Sequence, residues 1–181
     1  MSRSIPILMY HSISNDNNKM SVSVKDFEKQ MIFMKENDYE SINLKDLSTS
    51  NKKKTFVITF DDGYEDVFYN AMPLLKKFNF KATCFFVSDL IGQYNYWDEG
   101  LNNYKKIKLM NKEQVYKWLT NGFEAGAHSS NHKNLTLLGY EEKIKEITEP
   151  KKYFNENFKC NVKSFSYPYG LFDSETSKIV S

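Results

Sequence analysis

The chain has 181 residues, enough for one domain with a real core, and 40% hydrophobic and 15% aromatic residues rule out a disordered chain. Its formal charge is only +2, and the one basic run, Lys52-Lys53-Lys54, reads as a solvated loop, so no nucleic-acid partner is expected. No apolar stretch reaches the length of a transmembrane segment, residues 5–10 are too short and polar-flanked for a signal peptide, and two cysteines make no disulfide framework.

Residues 5–10 (IPILMY) predict a first buried strand ending at His11, and 15–19 (NDNNK) predict a loop. Ser23 or its neighbour then caps a helix to about Asn37. Phe27, Met31 and Met34 sit on it at helical spacing, and Ile32 and Phe33 widen the stripe. Residues 39–43 read as a short strand, followed by a short helix and the lysine loop. TFVITF at 55–60 is a β-favouring run suited to a strand buried on both faces. It stops at Asp61 and Asp62, poor strand formers, and at Gly63, which permits a sharp turn. A helix is expected over 66–78, broken or restarted near Pro73, then a buried strand over 82–87 with Cys84 as a small core residue.

Residues 88–110 form a long connection with Tyr94, Tyr96 and Trp97, and connections of this length are more often functional than idle. Asn111 caps a helix that Gly122 ends, with Trp118 on its core side. FEAGA at 123–127 is a strand whose glycine signals close approach of another backbone; it ends at His128. A helix over 140–158 carries Pro150 as a kink or break. Residues 162–167 are the last strand, ending at Pro168-Tyr169-Gly170.

Alternating strands and helices without hairpin signals favour a parallel α/β sheet or barrel. His11, the Asp pair, His128 and the YPYG turn all follow strands, and in such folds the ligand site lies beyond the strands' carboxyl ends. Two adjacent carboxylates are costly to bury unpaired, and a bound cation removes the difficulty. The chain has 3 histidines, His11, His128 and His132. HSSNH at 128–132 places two imidazoles on one side of a helical turn, within reach of one metal. By itself that spacing reads equally well as a polar loop, and it lacks the glutamate of the HExxH zincins. With the Asp pair, two histidines and Asp62 make a ligand set with open positions, leaving Asp61 as a base. A metal there would lower the pKa of bound water from about 15.7 toward about 7. The alternative for the Asp pair is a helix cap, a task Asp66 could take instead.

TFDDG at 59–63, HSSNH at 128–132 and FSYPYG at 165–170, in this order, resemble the motifs of the polysaccharide deacetylases, carbohydrate esterase family four, also called the NodB-homology domain. ILMYHSI at the start and IGQYNYWD at 91–98 resemble the branch that includes the poly-N-acetylglucosamine deacetylases of bacterial exopolysaccharide. The resemblance implies one domain over 1–181, a distorted, incomplete (β/α) barrel lacking its C-terminal strands. It implies one divalent metal, zinc most commonly, with cobalt or nickel as alternatives. Residue by residue, Asp61 matches the general base, Asp62, His128 and His132 the metal ligands, and Tyr169 the residue whose backbone N–H stabilises the oxyanion.

Two departures stand out. Ser166 occupies the position of an arginine that steadies the catalytic aspartate in the family, and Arg3 is the chain's only arginine. No histidine follows His132, so the family's late general acid is missing; His11 takes that role here, against the alternative of a supporting or core histidine. Trp97 with its tyrosine neighbours, together with Pro168 and Tyr169, is expected to hold sugar rings.

The function implied is hydrolysis of N-acetyl groups on N-acetylglucosamine-containing polysaccharide. Peptidoglycan, chitin or O-acetylated xylan are the alternative substrates. A non-catalytic carbohydrate-binding relic and a metal-binding domain with a non-sugar substrate are the rivals from other classes. The resemblance implies an extracellular or cell-surface location, with the cytoplasm left open. An open barrel edge would let another chain pair.

Overall fold

Strand follows helix along the chain because β-branched and aromatic runs alternate with apolar stripes at helical spacing. The computed structural model describes residues 4–16, 18–49, 54–102 and 104–181; Arg3, Asn17, Lys52 and Lys53 lie outside them. β1 (Ile7–Tyr10) is followed by a short parallel pair, β2 (Ser12–Ile13) with β3 (Ser21–Val22). Then come α1 (Val24–Glu36), β4 (Glu40–Ile42) and β5 (Thr55–Phe60). A π-helical turn, Val67–Ala71, leads into α2 (Met72–Phe78) and β6 (Thr83–Phe86). The long connection ends at α3 (Lys112–Thr120), followed by β7 (Glu124–Ala127), α4 (Tyr140–Phe158) and α5 (Ser174–Val180).

Among the described residues every strand ladder is parallel, which fits the expected α/β class; the two antiparallel contacts are single bridges, Tyr64↔Leu109 and Tyr94↔Lys108. β5 is wholly buried and central. It pairs with β1 from Ile7↔Val57 to Tyr10↔Phe60, with β4 over Thr55–Val57, and with β6 through Thr59 and Phe60. β6 pairs in turn with β7 from Thr83↔Glu124 to Phe86↔Ala127. Beyond β7 a single parallel bridge, Ala127↔Phe165, begins a further layer. Among the described residues no ladder joins that segment back to β1, so the barrel is open on one side.

The core sits between the sheet and α1 to α4. Ser23 caps α1 by accepting from Asp26 N–H, and Phe27, Met31 and Met34 turn inward. Phe27 packs edge-on to Tyr10, with ring centroids 5.1 Å apart; burying one such ring contributes about 2–3 kcal/mol. Trp118 is fully buried and its indole N–H donates to the Glu124 carbonyl. Asn111 and Gln114 close a capping box at the head of α3.

Several expectations need correcting. β1 is not a buried strand: Ile7 and Met9 are 49% and 63% exposed, because β1 is a sheet edge facing the open side. Ile32 and Phe33 do not widen the apolar stripe of α1; both are exposed. Residues 162–167 form one bridge and no ladder. Asp66 does not cap a helix. Its carboxylate accepts from Ser12 Oγ at 2.6 Å and from Ile13 N–H at 3.0 Å, tying β2 to the turn after β5. Pro150 neither breaks nor ends α4, which runs through it. At Gly126 a Cβ would collide with the Phe85 ring and sit 3.2 Å from the Ser164 carbonyl oxygen, so the expected close approach is met by a ring first and a backbone second. Cys84 and Cys160 are both free thiols, the first buried.

Candidate metal centre and active site

The parallel register brings the strand ends level. Tyr10 pairs with Phe60, and Asp61 N–H donates to the Tyr10 carbonyl at 2.9 Å. His11 and Asp61 therefore leave neighbouring strands side by side. His128 follows β7, and its N–H donates to the Phe86 carbonyl at 3.0 Å. One rim thus gathers the ends of β1, β5, β6 and β7.

At Asp62 the chain turns sharply, with φ 72°, and Gly63 continues at φ 76°; a Cβ at Gly63 would strike the Phe86 ring. This turn drives the Asp62 carboxylate inward. Its Oδ1 lies 3.3 Å from Nε2 of His128 and 3.3 Å from Nε2 of His132. Ligand atoms of the three residues all fall within 4.8 Å of one another, and all three residues are buried. The imidazole centroids are 4.8 Å apart and inclined at 67°. HSSNH is not the helical turn expected from its spacing. It is an irregular loop in which Ser129 and His132 have φ of 59° and 58°, so the imidazoles converge through loop geometry.

These residues fit a divalent cation. Asp62 Oδ1 is buried without a hydrogen-bond donor, an arrangement too costly to leave unmet. His128 Nδ1–H donates to the Ser166 carbonyl at 2.8 Å, which leaves its Nε2 lone pair facing the shared space. Two imidazole nitrogens and one carboxylate oxygen are a ligand set with open positions. Burial alone would raise the pKa of Asp62, but the His128 and His132 imidazoles beside it outweigh burial and hold the carboxyl far below its usual range. For His128, burial works to lower the pKa, yet Asp62 and Asp61 overcome it and the imidazole is raised above its ordinary value.

Asp61 is buried, and its Oδ2 accepts from Ser166 Oγ at 3.0 Å. The residue in the arginine's place thus still holds the neighbouring carboxylate. Tyr169 adopts φ 60° and lays its ring edge-on to His132, with centroids 4.7 Å apart. Trp97 stacks face to face on His132 at 4.3 Å. Both line a cavity of about 1240 Å³ that also takes in His11 and the Asp pair. The lining also has an apolar part, with Ile7, Met9, Phe85 and Phe172. Pro168 is buried and is not part of this lining. Tyr94 and Tyr96 do not extend the wall either; the Lys106 ammonium lies over their rings at 4.2 and 5.8 Å.

Sequence reasoning missed Tyr64. Its phenol is buried beside the Asp62 carboxylate, and burial foremost, then the Asp62 charge, raises its pKa. The sequence offers one signal, a tyrosine directly after the DDG turn, and the side it covers is decided by folding. Tyr64 is held in place by the antiparallel bridge Tyr64↔Leu109, which also pins the end of the long connection.

The polysaccharide deacetylase model matches residues 48–181. The chain is 30% identical over 179 residues to the poly-beta-1,6-N-acetyl-D-glucosamine N-deacetylase of Staphylococcus aureus (strain MSSA476), covering 96% of this chain and 62% of that protein. It is 34% identical over 180 residues to YxkH of Bacillus subtilis (strain 168), covering 96% of this chain and 60% of the relative. The chain therefore spans about three fifths of the length of these curated relatives. Among solved structures, the fold resembles Streptococcus pyogenes deacetylase PplD in complex with acetate, with TM-score 0.84, 24% identity and coverage of 97% of this chain and 78% of that one. It also resembles IcaB from Ammonifex degensii, with TM-score 0.85, 19% identity and coverage of 99% and 80%.

Proposed function

The chain belongs to the polysaccharide deacetylase family, and from that premise we propose that it is a metal-dependent N-deacetylase of N-acetylglucosamine-containing polysaccharide, releasing acetate. The observation that carries the reading is the convergence of Asp62, His128 and His132 beside a second buried carboxylate, Asp61, at the wall of one cavity. The similarity to the Staphylococcus aureus enzyme supports β-1,6-linked poly-N-acetylglucosamine as the substrate.

Zinc is the metal we assign, on the ground that two imidazoles and one carboxylate suit it. When bound, it would supply Lewis acidity toward water and the acetyl carbonyl. Asp61 takes a proton from the attacking water, held in place by Ser166 Oγ. The Tyr169 N–H donates to the carbonyl oxygen as negative charge develops there. His11, on the neighbouring strand end, gives a proton to the amine nitrogen as the C–N bond breaks. Acetate and a free glucosamine amine leave. Trp97 and Tyr169 flank the sugar; Pro168 fixes the turn that carries Tyr169.

The described residues share one core, which supports a single deacetylase domain. Among them no helix is long and apolar enough to cross a membrane, and we place the protein's work at the cell surface, where such a polymer is met. Among the described residues β1 pairs on one side only, so its other edge offers another chain a strand to pair with; sedimentation at two protein concentrations reads whether it does. The function is tested by incubating the zinc- or cobalt-loaded protein with β-1,6- and β-1,4-linked N-acetylglucosamine oligomers and measuring acetate. Faster release from the β-1,6 series is expected. Glycan binding with no acetate from either series would favour a carbohydrate-binding relic.

A further inference from the structure

The HSSNH loop holds two residues in the left-handed region, Ser129 at φ 59° and His132 at φ 58°. Side chains disfavour that region, and such residues persist only where their surroundings over-determine them. Some of the restraint is local: His132 N–H donates to Ser129 Oγ at 2.9 Å. Some comes from the segment after β6, where Ser88 and Asp89 N–H groups donate to the Ser129 and Ser130 carbonyls at 3.3 and 3.0 Å. Asp89 adds its carboxylate, whose Oδ2 accepts Asn131 Nδ2–H at 3.1 Å, and Trp97 and Tyr169 pack on the His132 ring; three further bonds come from one residue of α4. Glu146 Oε2 accepts the Asn131 N–H at 2.8 Å, and its Oε1 accepts Asn131 Nδ2–H at 3.1 Å. Its main-chain carbonyl accepts the Ser130 N–H at 3.0 Å.

That last bond has a cause within the helix. In an uninterrupted α-helix the carbonyl of residue 146 accepts from the N–H of residue 150. Residue 150 is proline and has no N–H to give. The Glu146 carbonyl is left over, buried and turned toward the loop, and Ser130 supplies the missing donor. Glu146 is only 4% exposed, and Lys133 Nζ, 3.7 Å from Oε1, offsets its charge.

We infer that Glu146 and Pro150 act together as a positioning device: the proline frees a helix carbonyl, and the glutamate uses that carbonyl and its carboxylate to hold the HSSNH loop so that both imidazoles face Asp62. The inference rests on the metal-centre reading above. Neither residue touches the metal or the substrate; both act through Ser130 and Asn131.

The test uses the full chain with two variants, Pro150→Ala and Glu146→Gln. Cobalt(II) affinity is read from visible absorption, and Ser130 and Asn131 amide exchange is measured in metal-free protein. Alanine restores a helix donor, so P150A should melt at the same temperature or higher. Its Ser130 amide should nevertheless exchange about tenfold faster, and cobalt should bind about tenfold more weakly, the scale of one lost hydrogen bond. Stability and metal affinity moving apart is not the outcome of a merely structural proline. E146Q keeps the side chain's shape but loses one acceptor, and should speed Asn131 exchange and weaken cobalt binding without a large melting change. Wild-type protein that binds cobalt while both variants match it in affinity and exchange overturns the inference alone. Wild-type protein that takes up no cobalt overturns the metal centre, and this inference with it.

Discussion

Ser166 Oγ donates to Asp61 Oδ2 across 3.0 Å, while the same residue's carbonyl accepts from His128 Nδ1–H at 2.8 Å. One residue thus serves the candidate base with its side chain and a candidate metal ligand with its backbone. Ser166→Ala removes only the first contact. A hydrogen bond to a charged group is worth about 1.5–3 kcal/mol, so kcat for acetate release should fall by about one to two powers of ten while cobalt affinity stays unchanged. Equal loss of both would mean that the side chain supports the loop and not the base.

His11 separates from the metal ligands by leaving group. His11→Ala should lower kcat on an N-acetylated sugar by about 10²–10⁴, the range for a general acid. An activated acetyl ester, whose leaving group departs without a proton, should suffer much less. Equal losses on both substrates in steady-state kinetics would remove His11 from the acid role.

Trp97 covers the face of His132 at 4.3 Å and lines the cavity. An aromatic stack contributes about 0.5–1.5 kcal/mol beyond burial. Trp97→Ala should therefore weaken cobalt binding several-fold and raise KM for the oligomer, and Trp97→Phe should restore most of both. Unchanged KM in the alanine variant would assign the ring to the loop's packing alone.

The end of the described chain carries a pH-sensitive cap. The Asp173 carboxylate accepts from Thr176 N–H at 2.7 Å and faces Lys143 Nζ at 2.9 Å. The Thr176 hydrogen bond foremost, then Lys143, hold its pKa down at about 2. Because the folded pKa is depressed, the cap's contribution is full above the unfolded value near about 3.9. It is lost as pH falls from there through about 2. Amide exchange in α5 should quicken over that window, and Asp173→Asn should remove the pH dependence.

Much of the fold and site is legible in local sequence. β5 and its DDG stop could be read directly, because a run of β-formers and a carboxylate pair are local signals. The caps of α1 and α3 were equally local. What was not legible depends on neighbours in space. The sequence spacing of HSSNH suggested a helical turn, but the loop takes its shape from contacts with α4 and the segment after β6. Residues 162–167 look like a strand, yet pair only at Phe165. α5 has a local signal in the capping box of Asp173 and Thr176, but at seven residues it is too short for an apolar stripe to mark it. Pro150 was visible as a helix defect; its consequence for Ser130 was not, since the two are brought together only by folding.

In the proposed function, removal of acetyl groups requires one cation held by Asp62, His128 and His132. Acetate release from an N-acetylglucosamine oligomer measures it directly, on protein stripped with chelator and then reloaded with zinc. Release should cease after stripping and recover on reloading, and His132→Ala should show no recovery. Release that survives complete stripping, or zinc-restored release in His132→Ala at the wild-type rate, would contradict that requirement.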